Sequence, residues 1–258
     1  MGSGNCCVYE VIGFFVGLFF IYSGAQQYLF LQKIKNTPTS KVEAVAIGLI
    51  ELSGKALCQQ DMASPITKNK CIYWKLQGEY YQSGKHGGWR NIYNDSSTNT
   101  FYLKDETGKI LVDPNGAQVD IPSDNLFQGY YSGKGFFGMS HTQMDSRAVA
   151  FIDTLPPEKQ RSFLNHRNEN LKIIEYLIAE GDPLYVLGSA EPREGVASAV
   201  QSENLIVRKG KFDKTMFISD SGEQKLTQSV SGSVYWQIFG GLALSAICLF
   251  LLLLMFVK

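Results

Sequence analysis

Five cysteines and three histidines are the side chains of widest chemical reach in this sequence, and their spacing decides what they can do. A structural zinc ion takes four ligands, usually as two close pairs such as C-x2-C. Cys6 and Cys7 are adjacent, Cys248 lies inside a long apolar run, and Cys58, Cys71, His86, His141 and His166 are scattered. No metal site is expected from that set. Cys58 and Cys71 read either as a disulfide, if their segment faces an oxidising compartment, or as two unrelated free thiols.

Nucleophilic chemistry finds equally little footing. There is no G-x-S-x-G elbow, and Ser140 and His141 are mere sequence neighbours. A literal G-x-G-x-x-G occurs at Gly133, Gly135 and Gly138, but a dinucleotide site needs a strand leading in and a helix N-terminus receiving the pyrophosphate. The flanks NLFQGYYS and MSHTQMDS supply neither, so no cofactor is expected. The stretch is instead aromatic, with Phe127, Tyr130, Tyr131, Phe136 and Phe137, and reads as either an interaction loop or a core-packing loop. Asp105 and Asp182 sit in tight turns, where carboxylates bond nearby backbone N–H groups more often than they move protons. Asn94-Asp95-Ser96 is a glycosylation sequon that matters only in a eukaryotic secretory lumen. The start MGSGNCC places Cys6 where a myristoylation pattern wants Ser or Thr.

The elements that must carry these residues are set by where the apolar side chains lie. The 258-residue chain has 24 basic and 24 acidic side chains, a net charge of zero that excludes a general nucleic-acid binder. Its charged share is 19%, below the roughly 25% of soluble domains, because two long apolar blocks dilute it. These blocks predict transmembrane helices over residues 8–31 and 236–257, since about 20 helical residues cross the hydrocarbon core. Tyr28, Tyr235 and Trp236 fall where interfacial anchors belong. A signal peptide is the competing reading of the first block, disfavoured by its length and by the absence of Lys or Arg before it. Gly13 with Gly17, and Gly241 with Ser245, are small residues at a spacing that lets helices approach closely, either on each other or on a second copy.

Residues 32–233 then form one water-exposed body, large enough for a real core. Strands are predicted over Val42–Leu52, Cys71–Tyr81, Trp89–Asp95, Thr100–Asp105, Lys109–Pro114, Ile173–Pro192, Asn204–Gly210 and Thr215–Ser221, all rich in β-branched and aromatic residues and bounded by turn residues. Ser83–Gly88 reads as a hairpin connection. Asp105-Glu106-Thr107-Gly108 reads as a turn with Gly108 at positive φ. Pro157–Leu171 is the predicted helix, within an insertion covering about 121–171. The expectation is two transmembrane helices flanking a β-rich (α+β) soluble domain, a small barrel or sandwich with a helical insertion.

The middle of the chain resembles the GIDE domain, also called the BAM ("beside a membrane") domain. The resemblance is carried by Ser64–Gln77 with Ser64, Pro65, Cys71 and Tyr73, by Trp89, by Phe101–Asp120 with Asp105 and Gly108, and by Glu180–Gly195 with Gly181, Asp182 and Gly188. It implies a domain held between two membrane helices, as in the membrane part of mitochondrial RING-type E3 ubiquitin ligases, whose RING follows the second helix. This sequence reaches Lys258 directly after that helix, and its Cys and His cannot assemble a RING. The expectation is therefore a recognition or scaffold domain without the catalytic module, a form found in prokaryotic relatives.

Orientation has two readings. Lys33, Lys35 and Lys41 lie on the domain side of the first helix, which by the positive-inside rule puts the domain in the cytoplasm. The resemblance implies the opposite, with the domain in an intermembrane space and both tails cytosolic. The expected location is an integral, multi-pass position in the plasma membrane of a prokaryote or the outer membrane of a eukaryotic organelle. The expected partners are membrane lipid and a protein of unknown identity, with self-association through Gly13, Gly17, Gly241 and Ser245, and no nucleic acid. A component of a RING-type ubiquitin-transfer system and a binder of lipid or a small molecule are the alternatives.

Overall fold

The computed structural model describes residues 3–36, 39–85, 87–132, 142–196, 198–211, 214–220 and 222–256. In chain order the elements are α1 (Ser3–Asn36), β1 (Thr39–Ser40), β2 (Gly48–Leu57), β3 (Met62–Ala63), β4 (Lys70–Cys71), β5 (Tyr73–Gln82) and β6 (Gly88–Ser96). They continue with β7 (Phe101–Lys104), β8 (Lys109–Val112), β9 (Gln118–Asp120), β10 (Asn125–Gly129), α2 (Ser146–Thr154), α3 (Pro157–Leu164) and β11 (Leu171–Ile178). The last are β12 (Pro183–Pro192), β13 (Leu205–Arg208), β14 (Phe217–Ser219) and α4 (Gly222–Phe256). They fall into two compact units, the terminal helices and residues Thr39–Asp220.

The helical unit is built by its small residues. A methyl group added at Gly13 would sit 2.7 Å from the Cys248 sulfur, and one at Gly241 would sit 2.7 Å from the Gly17 carbonyl. At Gly17 it would collide with the Ser245 hydroxyl, and at Gly24 with the Ile238 side chain. Contacts that climb one helix while descending the other define an antiparallel pair. The backbones come together because no side chain stands between them. Tyr9–Leu29 and Val234–Leu254 are each long and apolar enough to cross a membrane. Both helices run past these windows into the polar stretches QKIKN and EQKLTQSVSGS.

The second unit is organised around a closed five-stranded barrel. β2 pairs with β7, β7 with β8, β8 with β13, β13 with β12, and β12 returns to β2 over Gly48–Lys55. Closure removes the free edges that an open sheet of this size would present. Alternating inward residues fill the interior, among them Leu52, Ala56, Phe101, Leu103, Ile110, Val112, Val186, Ala190 and Val207. Each buried aliphatic or aromatic side chain contributes about 1.5–3 kcal/mol. β1 adds to β2 in parallel, while β14 adds to β12 and carries β9.

A second, antiparallel sheet in the order β10-β11-β5-β6 has its own core. Leu76, Tyr93, Phe127, Leu171 and Ile173 meet Ala148 and Ile152 of α2 and Phe163 of α3. Asp145 caps α2, accepting the Arg147 N–H at 2.8 Å, and Pro157 occupies the first turn of α3, where its missing N–H is harmless.

Several expectations are corrected. Val42–Leu52 is not one strand: Val42–Ala44 is a short 3-10 helix, because the Asp105 carboxylate captures the Val42 N–H and turns the chain before β2 begins. The run Ile173–Pro192 is broken into β11 and β12 at Gly181, whose φ is +92°. The predicted helix stops at Leu164, Leu171 already belongs to β11, and α2 precedes it. Gly108 is absent from the positive-φ glycines, so its turn is held by hydrogen bonds and not by a left-handed backbone. Gly133, Gly135 and Gly138 lie outside the described residues.

Candidate functional site

The residues that carry the family resemblance turn out to hold loops in place. Asp105 is the clearest case. Its Oδ1 accepts the Thr107 N–H at 2.7 Å, the Thr107 hydroxyl at 2.7 Å and the Gly108 N–H at 2.9 Å, while Oδ2 accepts the Val42 N–H at 2.9 Å. Thr107 Oγ1 in turn accepts the Glu43 N–H, and Lys41 pairs with Glu106. The β7–β8 turn thus clamps the first residues of the domain. Partial burial pushes the Asp105 carboxyl up, but the bonds from Val42, Thr107 and Gly108 outweigh it and hold the group below the usual carboxylate value.

Ser64 and Pro65 belong to a loop pinned by a residue far along the chain. Glu175 on β11 has 0% exposure, and its two oxygens accept Ile66 N–H (3.2 Å), Thr67 N–H (3.4 Å), the Thr67 hydroxyl (2.7 Å) and the Asn125 amide (3.1 Å). Ser64 closes the loop, donating its N–H to Asn69 O and sharing a 2.7 Å bond with Thr67. Sequence reasoning missed Glu175. The readable signal was a carboxylate on the inward phase of an alternating strand, with Leu171 and Ile173 before it.

The remaining motif residues are equally internal. Cys71 and Tyr73 are buried, at 4% and 3% exposure. Burial pushes the Cys71 thiol up to about 11, helped by the negative charge of Glu175 and by Cys58. Burial also raises Cys58, with Asp61 adding to it. Both thiols are free, and the raised values lower the share of reactive thiolate at neutral pH. Asp182 accepts the Ala179 N–H at 2.7 Å, and Gly181 donates its N–H to Ala56 O, so the β11–β12 turn is stitched to β2. A Cβ on Gly188 would meet Met216 Sδ at 2.5 Å and Val207 Cγ1 at 2.9 Å inside the barrel. Trp89 lies apart on the second sheet, half-buried, with the Lys172 ammonium 4.3 Å from its ring centre and Tyr81 edge-on at 5.5 Å.

The aromatic loop divides. Phe127 is 5% exposed within the second core, so it is a packing residue and not a surface contact. Tyr130 bridges to Gln143, and the Tyr131 hydroxyl bonds Asp153. Phe136 and Phe137 lie outside the described residues. Among the described residues no three His, Cys, Asp or Glu side chains converge as metal ligands. The two turns set by Asp105 and Gly181 meet at a cleft of about 460 Å³ that also takes in Lys55, Lys104, Gly54 and Leu57.

A family model, GIDE, described as an E3 ubiquitin ligase, matches residues 75–254. The chain belongs to the GIDE family. The GIDE match begins in β5, takes in the second sheet and the barrel strands β7, β8, β12 and β13, and ends with the apolar window of α4, while β1 to β4 precede it. Neither a curated protein nor a solved structure matches the chain.

Proposed function

We propose that this GIDE protein is a two-pass membrane protein whose β-rich domain, on the cytoplasmic side, serves as a scaffold or recognition module that binds a partner protein. The observation that carries this reading is the use made of the motif residues. Asp105, Asp182, Ser64 and the buried Glu175 all direct their polar groups into turns and loops of their own fold. Residues arranged in this way preserve a shape, and a preserved shape serves recognition better than bond-making. The family's description as an E3 ubiquitin ligase favours a place in ubiquitin-type ligation, with the transfer module supplied by another polypeptide.

The full chain purified in mild detergent, mixed with ubiquitin and its activating and conjugating enzymes, is expected to give no transfer product alone. Lysine-directed cross-linking in native membranes is expected to join the β-rich domain to a second protein. Robust transfer by the isolated chain, or cross-links confined to the chain itself, would overturn the proposal.

A further inference from the structure

The second sheet leaves its longer edge open. That edge is β6, nine residues with neither Lys nor Pro, whereas the other edge, β10, has five residues and Met144 lies against its last, Gly129. Edge strands present unpaired N–H and C=O groups, which folded proteins ordinarily blunt with Lys, Pro or a covering segment. Which groups of β6 point outward follows from its neighbours. The Tyr81 N–H bonds Asn170 O on the far side of β5, so Trp89, opposite Tyr81, turns its backbone away from β5. At the other end the Ser97 N–H bonds Trp74 O, so the preceding Ser96 turns outward too.

Strict alternation cannot place both Trp89 and Ser96 outward, because one number is odd and the other even. The bulge resolves this: Tyr93 lies opposite Gly78 and Asn91 opposite Glu79, so Ile92 is the extra residue. The outward residues are therefore Trp89, Asn91, Asn94 and Ser96, of which the last three are exposed. Among the described residues their outward backbone groups make one bond, the local one from the Ser96 N–H to the Asp95 carboxylate.

This pattern is its own complement. Turned about a two-fold axis through the bulge, a second β6 runs antiparallel to the first, setting Asn91 against Asn94 and Trp89 against Ser96. Each outward residue then meets an outward residue. The faces agree as well: Asn91 and Asn94 share one face with Glu79 and Gln77, while Arg90 and Asp95 share the other with Tyr80 and Leu76. A strand without a bulge would fall out of step at Ile92, so the edge selects a copy that carries the same one. Charge fits the same register, since Arg90 comes opposite Asp95 of the second copy, twice over. Among the described residues Arg90 bonds the neutral Gln82 side chain and has no acidic partner. Asp95 gives Oδ2 to Lys159 and Tyr93, while its Oδ1 takes the Ser96 N–H alone.

We propose that β6 pairs antiparallel with β6 of a second copy of this chain, joining two four-stranded sheets into one of eight. The partner-recognition role is a separate reading, and either can fail without the other. The test uses the full chain in mild detergent, with the native cysteines replaced by alanine for cross-linking. Asn91→Cys and Asn94→Cys chains, differently tagged and coexpressed, should join through a disulfide under copper phenanthroline, because opposed residues bring Cα atoms about 5.5 Å apart. Neither variant expressed alone should cross-link, since like positions lie about 10 Å apart across the axis.

By sedimentation the parent should be a dimer. Asn94→Pro should be a monomer that keeps its circular dichroism spectrum, because the N–H it removes points away from β5 and the ladder inside each sheet stays whole. Arg90→Glu should raise the dissociation constant of the dimer by about tenfold or more. If Asn94→Pro fails to fold, the mixed cross-link and Arg90→Glu decide the matter. A monomeric parent, a dimer unaffected by folded Asn94→Pro or by Arg90→Glu, or single variants that cross-link as readily as the mixture would each overturn the proposal.

Discussion

Glu175 illustrates how one buried side chain holds distant segments together. Its carboxylate receives four donors from Ile66, Thr67 and Asn125, all far from it in sequence. Glu175→Ala leaves these buried donors unanswered, and stability should fall by about 3 kcal/mol or more, measured by chemical unfolding of the full chain in detergent. Asp105 and Asp95 set the response to acid. Partial burial raises both, but the bonds to Asp105 from Val42 and Thr107, and those to Asp95 from Lys159 and Tyr93, leave both below the ordinary 3.8. With the folded value depressed, the unfolded chain binds the extra proton first, so stability is complete above about pH 4 and is lost as pH falls through the folded values. The unfolding midpoint should stay level from about pH 7 to 5 and drop below about 4, and Asp105→Asn should drop less steeply.

Among the elements, β2 and β7 approach each other closely at Gly54. A Cβ on Gly54 would come within 2.5 Å of the Lys104 carbonyl oxygen, a backbone atom that cannot swing away. Gly54→Ala should therefore separate the two strands and cost about 2 kcal/mol or more, checked by the same unfolding measurement. Gly181→Ala should cost only about 1 kcal/mol, because its φ of +92° is strained for a side chain but the space around it is open. These positions also mark how far the sequence could be read. Most strands, the hairpin at Ser83–Gly88 and the terminal helices were legible from periodicity and turn residues, because those signals are local. The pairing of β2 with β12 that closes the barrel joins segments more than a hundred residues apart, and nothing in either strand names its partner. For the same reason Asp105 was legible as a turn residue, but its hold on Val42 was not.

For the molecule as a whole, the proposed topology makes a plain forecast. In a background with the native cysteines replaced by alanine, Lys85→Cys should react with a membrane-impermeant maleimide only after the cells are permeabilised. Labelling of intact cells would place the domain on the other side.

The placing of the two short strands next to the terminal helices has a mechanical consequence. β1 contributes two residues beside β2, and β14 contributes three between β12 and β9. Each is attached directly to the segment leading to a terminal helix, so tension along those segments reaches these short strands before the ring. Two or three residues of pairing can peel away at low force, one bond after another, while the five closed strands must break together. The domain has built-in slack: its borders would yield to lateral stress first and re-form when that stress passes, leaving the ring intact.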